Sequence, residues 1–265
     1  TFRERLEDSL PSQEILASIG EEVLATTKLP LAVDFLKGEI LLTGRVSDGM
    51  AQLPHYFTPF QTFVMSMAED DKSRFDQKIA LLILERESQY RAESPTPAGL
   101  FIYQFECIAR NRLGYDNGMI AMAGDPSFDD SWRDWILKVR LRLGATDFTD
   151  LIYLRSQHYV NESRRRTGND SFETPYPILF AVQEGRIAKA NRGKDPLYMF
   201  AALQRQLGHP SVPRAKRAKK GPLFHPAVEE RFQRLEQRMK LLETEADGGL
   251  DLSQFYVKPP GETDS

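Results

Sequence analysis

FDQKIALLILERE (75–87) and GLFIYQFECIARNRL (99–113), joined across Ser94-Pro95-Thr96-Pro97, are two strongly apolar segments whose reading decides the fold class. Each has a start signal, an apolar stripe at helical spacing and a stop, so the pair predicts a helical hairpin. Ser73 with Asp76 three residues on fits a capping box, Phe75, Ile79, Leu82, Ile83 and Tyr90 share a face, and Pro95 ends the run. In the second segment Thr96 is placed as N-cap and Pro97 sits at the first helical position, where its missing N–H costs nothing. Phe101, Phe105, Ile108 and Arg112 follow one face, and Gly114 is placed just past the end. Both helices are expected in the core.

The flanking sequence continues the pattern. Ser12 caps a segment carrying Ile15, Leu16, Ile19 and Val23, and Pro30 opens another with Val33, Leu36 and Ile40 before Gly44. Thr58-Pro59 starts a third, in which Phe60, Phe63, Val64 and Met67 fall at i, i+3, i+4 and i+7. GMIAMAG (118–124) is short and glycine-bounded and takes no assignment. Ser127 with Asp130 marks the next helix, with Trp132, Trp135, Ile136, Val139 and Leu143 on one face. Arg140 and Arg142 complement its C-terminal dipole. Both Trp lie on the apolar face, which reads as core packing; a stacking platform for bases or sugars is the functional alternative.

From Asp150 the texture changes. LIYLRSQHYV (151–160) suits a strand or a helix, while ILFAVQEGRIAKAN (178–191) reads as two short strands around Glu184-Gly185, a hairpin signal. The polar NESRRRTGNDSFETPYP (161–177) between them is expected as an exposed loop. Asp195 and Pro196 open a helix that runs to Gly208, and HPSVPRAKRAKKGP (209–222) reads as a linker or arm. Beyond Pro226, Val228, Phe232, Leu235, Met239, Leu242 and Ala246 are spaced 4, 3, 4, 3, 4, a heptad seam. The expected fold is therefore mainly α: a multi-helical bundle or short stack of helical hairpins over 1–148, a small β-hairpin-containing basic module and linker over 149–221, and a C-terminal helix with its tail over 222–265.

Composition narrows the class. With 265 residues the chain exceeds the usual domain length of roughly 100 to 150 residues. Its single cysteine, Cys107, rules out an intramolecular disulfide framework and points to a reducing, cytoplasmic setting. No apolar run approaches the roughly 20 residues a bilayer needs, so no membrane partner is expected. Arg3, Glu4, Arg5, Glu7 and Asp8 do not form a signal peptide, although a leader removed ahead of Thr1 stays open.

Motifs of catalysis and cofactor binding are missing. Gly185 to Gly193-Lys194 has the wrong spacing for a phosphate-binding loop, and Asp195 follows where Ser or Thr is required. No G-x-G-x-x-G occurs, and His55, His158, His209 and His225 are scattered, with no two at the i, i+4 spacing of a metal site. Ser156 and His158 lack an associated carboxylate and a nucleophile elbow. No cofactor and no metal are expected, and an enzyme whose groups converge only in the fold stays open.

Charge carries the positive signal. Residues 155–220 hold fourteen Lys or Arg against five Asp or Glu, while the remainder holds 21 against 33. Arg164, Arg165, Arg166, Arg186, Lys189, Arg192, Lys194, Arg214, Lys216, Arg217, Lys219 and Lys220 are the candidate phosphate contacts, with Tyr153, Tyr159, Phe172 and Tyr176 for stacking. Lys216-Arg217-Ala218-Lys219 also matches a short nuclear-import pattern. The candidate partner-helix seam is Val228, Phe232, Leu235, Met239 and Leu242, which docks either on this chain or on a partner. Three functions follow: a helical interaction or adaptor protein binding a protein partner or a second copy, a module binding nucleic acid without sequence preference, and an enzyme of unknown class.

Overall fold

The structure, a computed structural model, describes residues 2–7, 10–22, 28–70, 72–73, 75–93, 95–214 and 226–246. Among them are fourteen helices: α1 (Phe2–Glu7), α2 (Ser12–Glu22), α3 (Leu29–Thr43), α4 (Val46–Ala51), α5 (Pro59–Ala68), α6 (Gln77–Ala92), α7 (Pro97–Asn111), α8 (Tyr115–Ala123), α9 (Asp130–Arg142), α10 (Phe148–Leu154), α11 (Gln157–Thr167), α12 (Val182–Ala190), α13 (Pro196–Leu207) and α14 (Pro226–Ala246). They form two compact units, Thr1–Ala215 and Lys216–Ser265. Val23, Lys216, Arg217, Lys219 and Lys220 lie outside the described residues.

The first unit is built around α7. Every residue from Ala98 to Ile108 is buried, so this helix is enclosed on all sides rather than on one face. Its start follows the sequence: the Thr96 hydroxyl accepts from the Gly99 N–H at 3.1 Å, and Pro97 occupies the first turn. Its end does not. Arg112, at φ 56°, takes the left-handed position expected of Gly114, and Gly114 precedes α8. At α6 the N-cap is Asp76, whose carboxylate accepts from the Lys78 N–H at 2.7 Å, while the Ser73 hydroxyl bonds to the Met67 carbonyl.

Around α7 the helices pack in succession, α2 on α3, α3 on α4, α4 on α5 and α5 on α6 and α8, while α13 lies against α7 and α10 against α12. The buried cluster runs continuously from Leu16 to Leu203. Trp132 and Trp135 belong to it, each beside the Phe101 ring, so both are core residues. His209 is buried beside the edges of Tyr90 and Tyr103, and the segment after it is held by the Asn111 side chain, which donates to the Pro213 carbonyl at 3.0 Å.

The β-hairpin is corrected. ILFAVQEGRIAKAN holds α12, with Glu184 and Gly185 buried inside the helix, and LIYLRSQHYV spans the end of α10 and the start of α11. The reason is tertiary. Gly185 offers a flat patch on which Ser156 and His158 rest, so a glycine that reads locally as a turn serves helix packing. What persists of strand pairing in this segment, among the described residues, is an isolated bridge between Ser156 and Phe180: the Gln157 N–H donates to the Phe180 carbonyl at 2.9 Å, and the Leu179 N–H to the Arg155 carbonyl at 2.9 Å. This clasp closes a loop that carries the whole of α11.

The second unit contains α14. Its seam side chains Val228, Phe232, Leu235, Met239 and Leu242 are all exposed. No helix among the described residues is long and apolar enough to cross a membrane.

Candidate functional site

The basic segment that reads as a loop in sequence is a helix with a defined start. The Ser156 hydroxyl donates to the Tyr153 carbonyl at 2.7 Å and accepts from the Tyr159 N–H, capping α11. Both roles occupy this oxygen, which accounts for Ser156 without a catalytic duty. At the other end Arg164, Arg165 and Arg166 fill the last turn, where cations complement the helix dipole, and Gly168 at φ 66° ends the helix.

Packing α12 on α11 then brings two basic helix ends together. A cleft of about 580 Å³ is lined by Arg165 and Arg166 from α11, Lys189 from α12 and Arg192 just beyond it, around Tyr153 and Tyr159 with Glu162 and Ser163. Lys189 and Arg192 each lie 5.7 Å from the Tyr153 ring centre. Tyr159 meets Tyr153 edge-on at 5.4 Å and Phe172 at 6.3 Å. Four cations thus surround one carboxylate within the lining.

Carboxylates temper two of these cations. Lys189 pairs with Glu162 and Arg192 with Asp150. Both pairs are solvent-exposed, so each contributes no more than about 1 kcal/mol and is open to replacement by a multivalent anion. Hydrogen bonds from Lys189 and from the Tyr153 hydroxyl, the latter at 2.6 Å, hold Glu162 below the usual carboxylate range. Burial, reinforced by Glu162, pushes the Tyr153 hydroxyl up to about 12. Burial also lowers His158, with Arg186, Lys189 and Arg165 adding to the effect against the opposing pull of Glu162.

Of the remaining sequence-predicted contacts, Arg164 is turned to the Phe172 carbonyl, to which its Nε–H donates at 3.0 Å. Arg186 is exposed on α12 near His158, and Lys194 and Arg214 are exposed away from the cleft lining. Lys216, Arg217, Lys219 and Lys220 fall outside the described residues. Sequence reading named Tyr153 and Tyr159 but missed Glu162 and Asp150, whose acidity carries no signal of the partners they meet across helices.

A second polar group is deeply buried and was not anticipated. Gln104 donates to Glu87 at 2.7 Å and to Asp125 at 3.0 Å, and Arg91 donates to Glu87 at 3.0 Å and also pairs with Asp125. Glu87, Gln104 and Asp125 are fully buried. Burial pushes Glu87 above the ordinary carboxylate value against the pull of Arg91 and Gln104. The signal was available: Glu87 and Arg91 continue at spacing four from Ile83 along a buried face. This group ties α6 and α7 to the loop before α9, and nearby Cys107 is buried with its thiol pushed well above its ordinary value. Among the described residues no group of three or more His, Cys, Asp or Glu is placed to hold a metal ion. Comparison with protein-family models, curated proteins and solved structures finds no match to this chain.

Proposed function

We propose that this protein is a binding module that holds a polyanionic strand, single-stranded nucleic acid, in the cleft between α10, α11 and α12. The observation that supports this reading is the convergence of Arg165, Arg166, Lys189 and Arg192 on two tyrosines, with one carboxylate in the lining. Cations along a groove track phosphates, and aromatic rings accept any base face, which together give binding without sequence preference. Arg165 and Arg166 are exposed and carry no ion pair among the described residues, so engaging them breaks nothing. The test is fluorescence anisotropy with a short single-stranded oligonucleotide over a range of salt. If about four phosphates are engaged, log affinity falls with log salt at a slope near −3. Arg165→Glu with Arg166→Glu flattens it, and no binding to DNA or RNA at low salt rejects the reading.

A protein-partner reading rests on α14 and commits to a second copy of this chain. With Phe232 and Met239 at a positions and Val228, Leu235 and Leu242 at d, Arg231 and Arg238 fall at g, five residues ahead of Glu236 and Glu243 at e. That spacing favours parallel pairing, because antiparallel pairing sets Arg against Arg and Glu against Glu. Sedimentation of the full chain tests it. Leu235→Lys with Met239→Lys turns a dimer into a folded monomer, and a wild-type chain that stays monomeric at high concentration rejects it.

A further inference from the structure

A separate cleft of about 340 Å³ lies between α9, α10 and the loop carrying Tyr176. Lys138 and Arg142, four residues apart on one face of α9, line it together with Arg155 from the end of α10. No carboxylate is in the lining, and among the described residues Lys138 and Arg142 form no ion pair. Three cations without a counter-charge distinguish this cleft from the first, where Glu162 and Asp150 intervene.

The rest of the lining is apolar and aromatic. Trp135, Val139, Leu151 and Leu154 form the floor, and Tyr176 forms a wall over which the Arg155 guanidinium sits 4.2 Å from the ring centre. Arg155 is fixed there by donating to the Pro177 carbonyl at 3.3 Å, so its plane is set before any ligand arrives. Burial, with Arg142 adding to it, lowers the Arg155 pKa against the pull of Tyr176, and an anion entering the cleft relieves that cost.

We propose that this cleft binds a small organic phosphate carrying a planar ring, of the nucleoside monophosphate class, with the phosphate among Lys138, Arg142 and Arg155 and the ring against Tyr176 and the apolar floor. Inorganic phosphate uses the cations but leaves the floor uncovered, whereas an uncharged nucleoside uses the floor but leaves three cations unanswered. The volume suits one ring system with its sugar and phosphate, at the small end of ligand pockets, roughly 300 to 1,000 Å³. The site shares no residue with the first cleft, so it stands or falls apart from strand binding.

Isothermal titration of the full chain at low salt tests it with adenosine monophosphate, adenosine and inorganic phosphate as probes. The nucleotide is expected to saturate with a dissociation constant below about 1 mM, and each half-ligand to bind at least about tenfold more weakly. Lys138→Glu with Arg142→Glu, both exposed and so open to change without unfolding, abolishes the signal, and the milder Lys138→Gln with Arg142→Gln weakens it about tenfold. Arg165→Glu with Arg166→Glu leaves it intact. The proposal is overturned if phosphate alone binds as tightly as the nucleotide, if no probe saturates, if the α9 variants bind like the wild type, or if the α11 variant removes nucleotide binding. A free nucleotide and the 5′-phosphorylated end of a strand share this chemistry. Competition by a 5′-phosphorylated dinucleotide at equal affinity identifies the strand end, and weaker competition identifies the free nucleotide.

Discussion

The Phe101 and Trp135 rings lie 4.8 Å apart, centre to centre and tilted by 57°, and this contact is where α7 meets α9. Phe101 also touches the rings of Phe105, Trp132, Phe148 and Phe180, so one fully buried side chain on α7 joins α9, α10 and the segment leading to α12. Replacing Phe101 by Ala empties that junction and should cost about 3 to 5 kcal/mol. Chemical denaturation measures it, and a loss under about 1 kcal/mol contradicts the assignment of Phe101 to the centre of the core.

Gly185 leads to a second expectation. A Cβ there would come within 2.1 Å of the Ser156 Oγ and 2.5 Å of its Cβ, with His158 Cβ at 2.7 Å. Its φ lies outside the left-handed range, so the cost of Gly185→Ala is crowding rather than backbone strain. The variant should lose about 1 to 3 kcal/mol and, by forcing α12 off the start of α11, weaken oligonucleotide binding as well. Equal stability and equal affinity together would show that α12 can shift without cost.

Stability should also vary with pH through Glu87. Its folded-state pKa is raised above the ordinary 4.5 by burial, so the folded chain holds this proton more tightly than the unfolded chain does. The resulting stability is complete below that ordinary value and is lost as pH rises through the folded pKa. Glu87→Gln, neutral at every pH, should flatten the decline in melting temperature as pH rises above the ordinary carboxylate range. Glu87→Ala leaves Asp125 as the one carboxylate that Arg91 and Gln104 share and should cost about 3 to 5 kcal/mol. A Glu87→Gln profile parallel to the wild type would assign the pH dependence elsewhere.

The basic run beyond the first unit gives an independent check on strand binding. If the strand engages this run as well as the cleft, the wild-type slope steepens to about −6, and replacing Lys216, Arg217, Lys219 and Lys220 by Gln should return it to about −3. Anisotropy titrations at several salt concentrations read this directly, and an unchanged slope confines the strand to the cleft.

Much of the helical framework was legible in sequence because its signals are local. Thr58, Thr96 and Asp195 accept the N-cap hydrogen bonds expected of them, and Gly44 and Gly208 take left-handed positions at helix ends. Competing polar residues shifted other starts by a few positions, as at Asp76 instead of Ser73 and Asp129 instead of Ser127. α12 was misread because Gly185 is explained by Ser156, a residue 29 positions earlier that no local pattern can supply. The cleft was legible by residue type, Arg and Lys with Tyr, but not by geometry. Arg164 and Lys194 look equivalent to Arg165 in a charge count, and only the packing of α12 on α11 separates them.

The clasp between Ser156 and Phe180 makes the intervening chain a closed ring within the fold. Loop closure grows only logarithmically with length, so doubling such a ring costs about 0.6 kcal/mol. The exposed stretch from Gly168 to Ser171 is therefore a place where foreign sequence is tolerated, and where one backbone cut leaves both ends joined to the body of the molecule. A split at this point should yield two pieces that stay associated without a covalent link, giving a natural position for an inserted reporter or a two-fragment assembly.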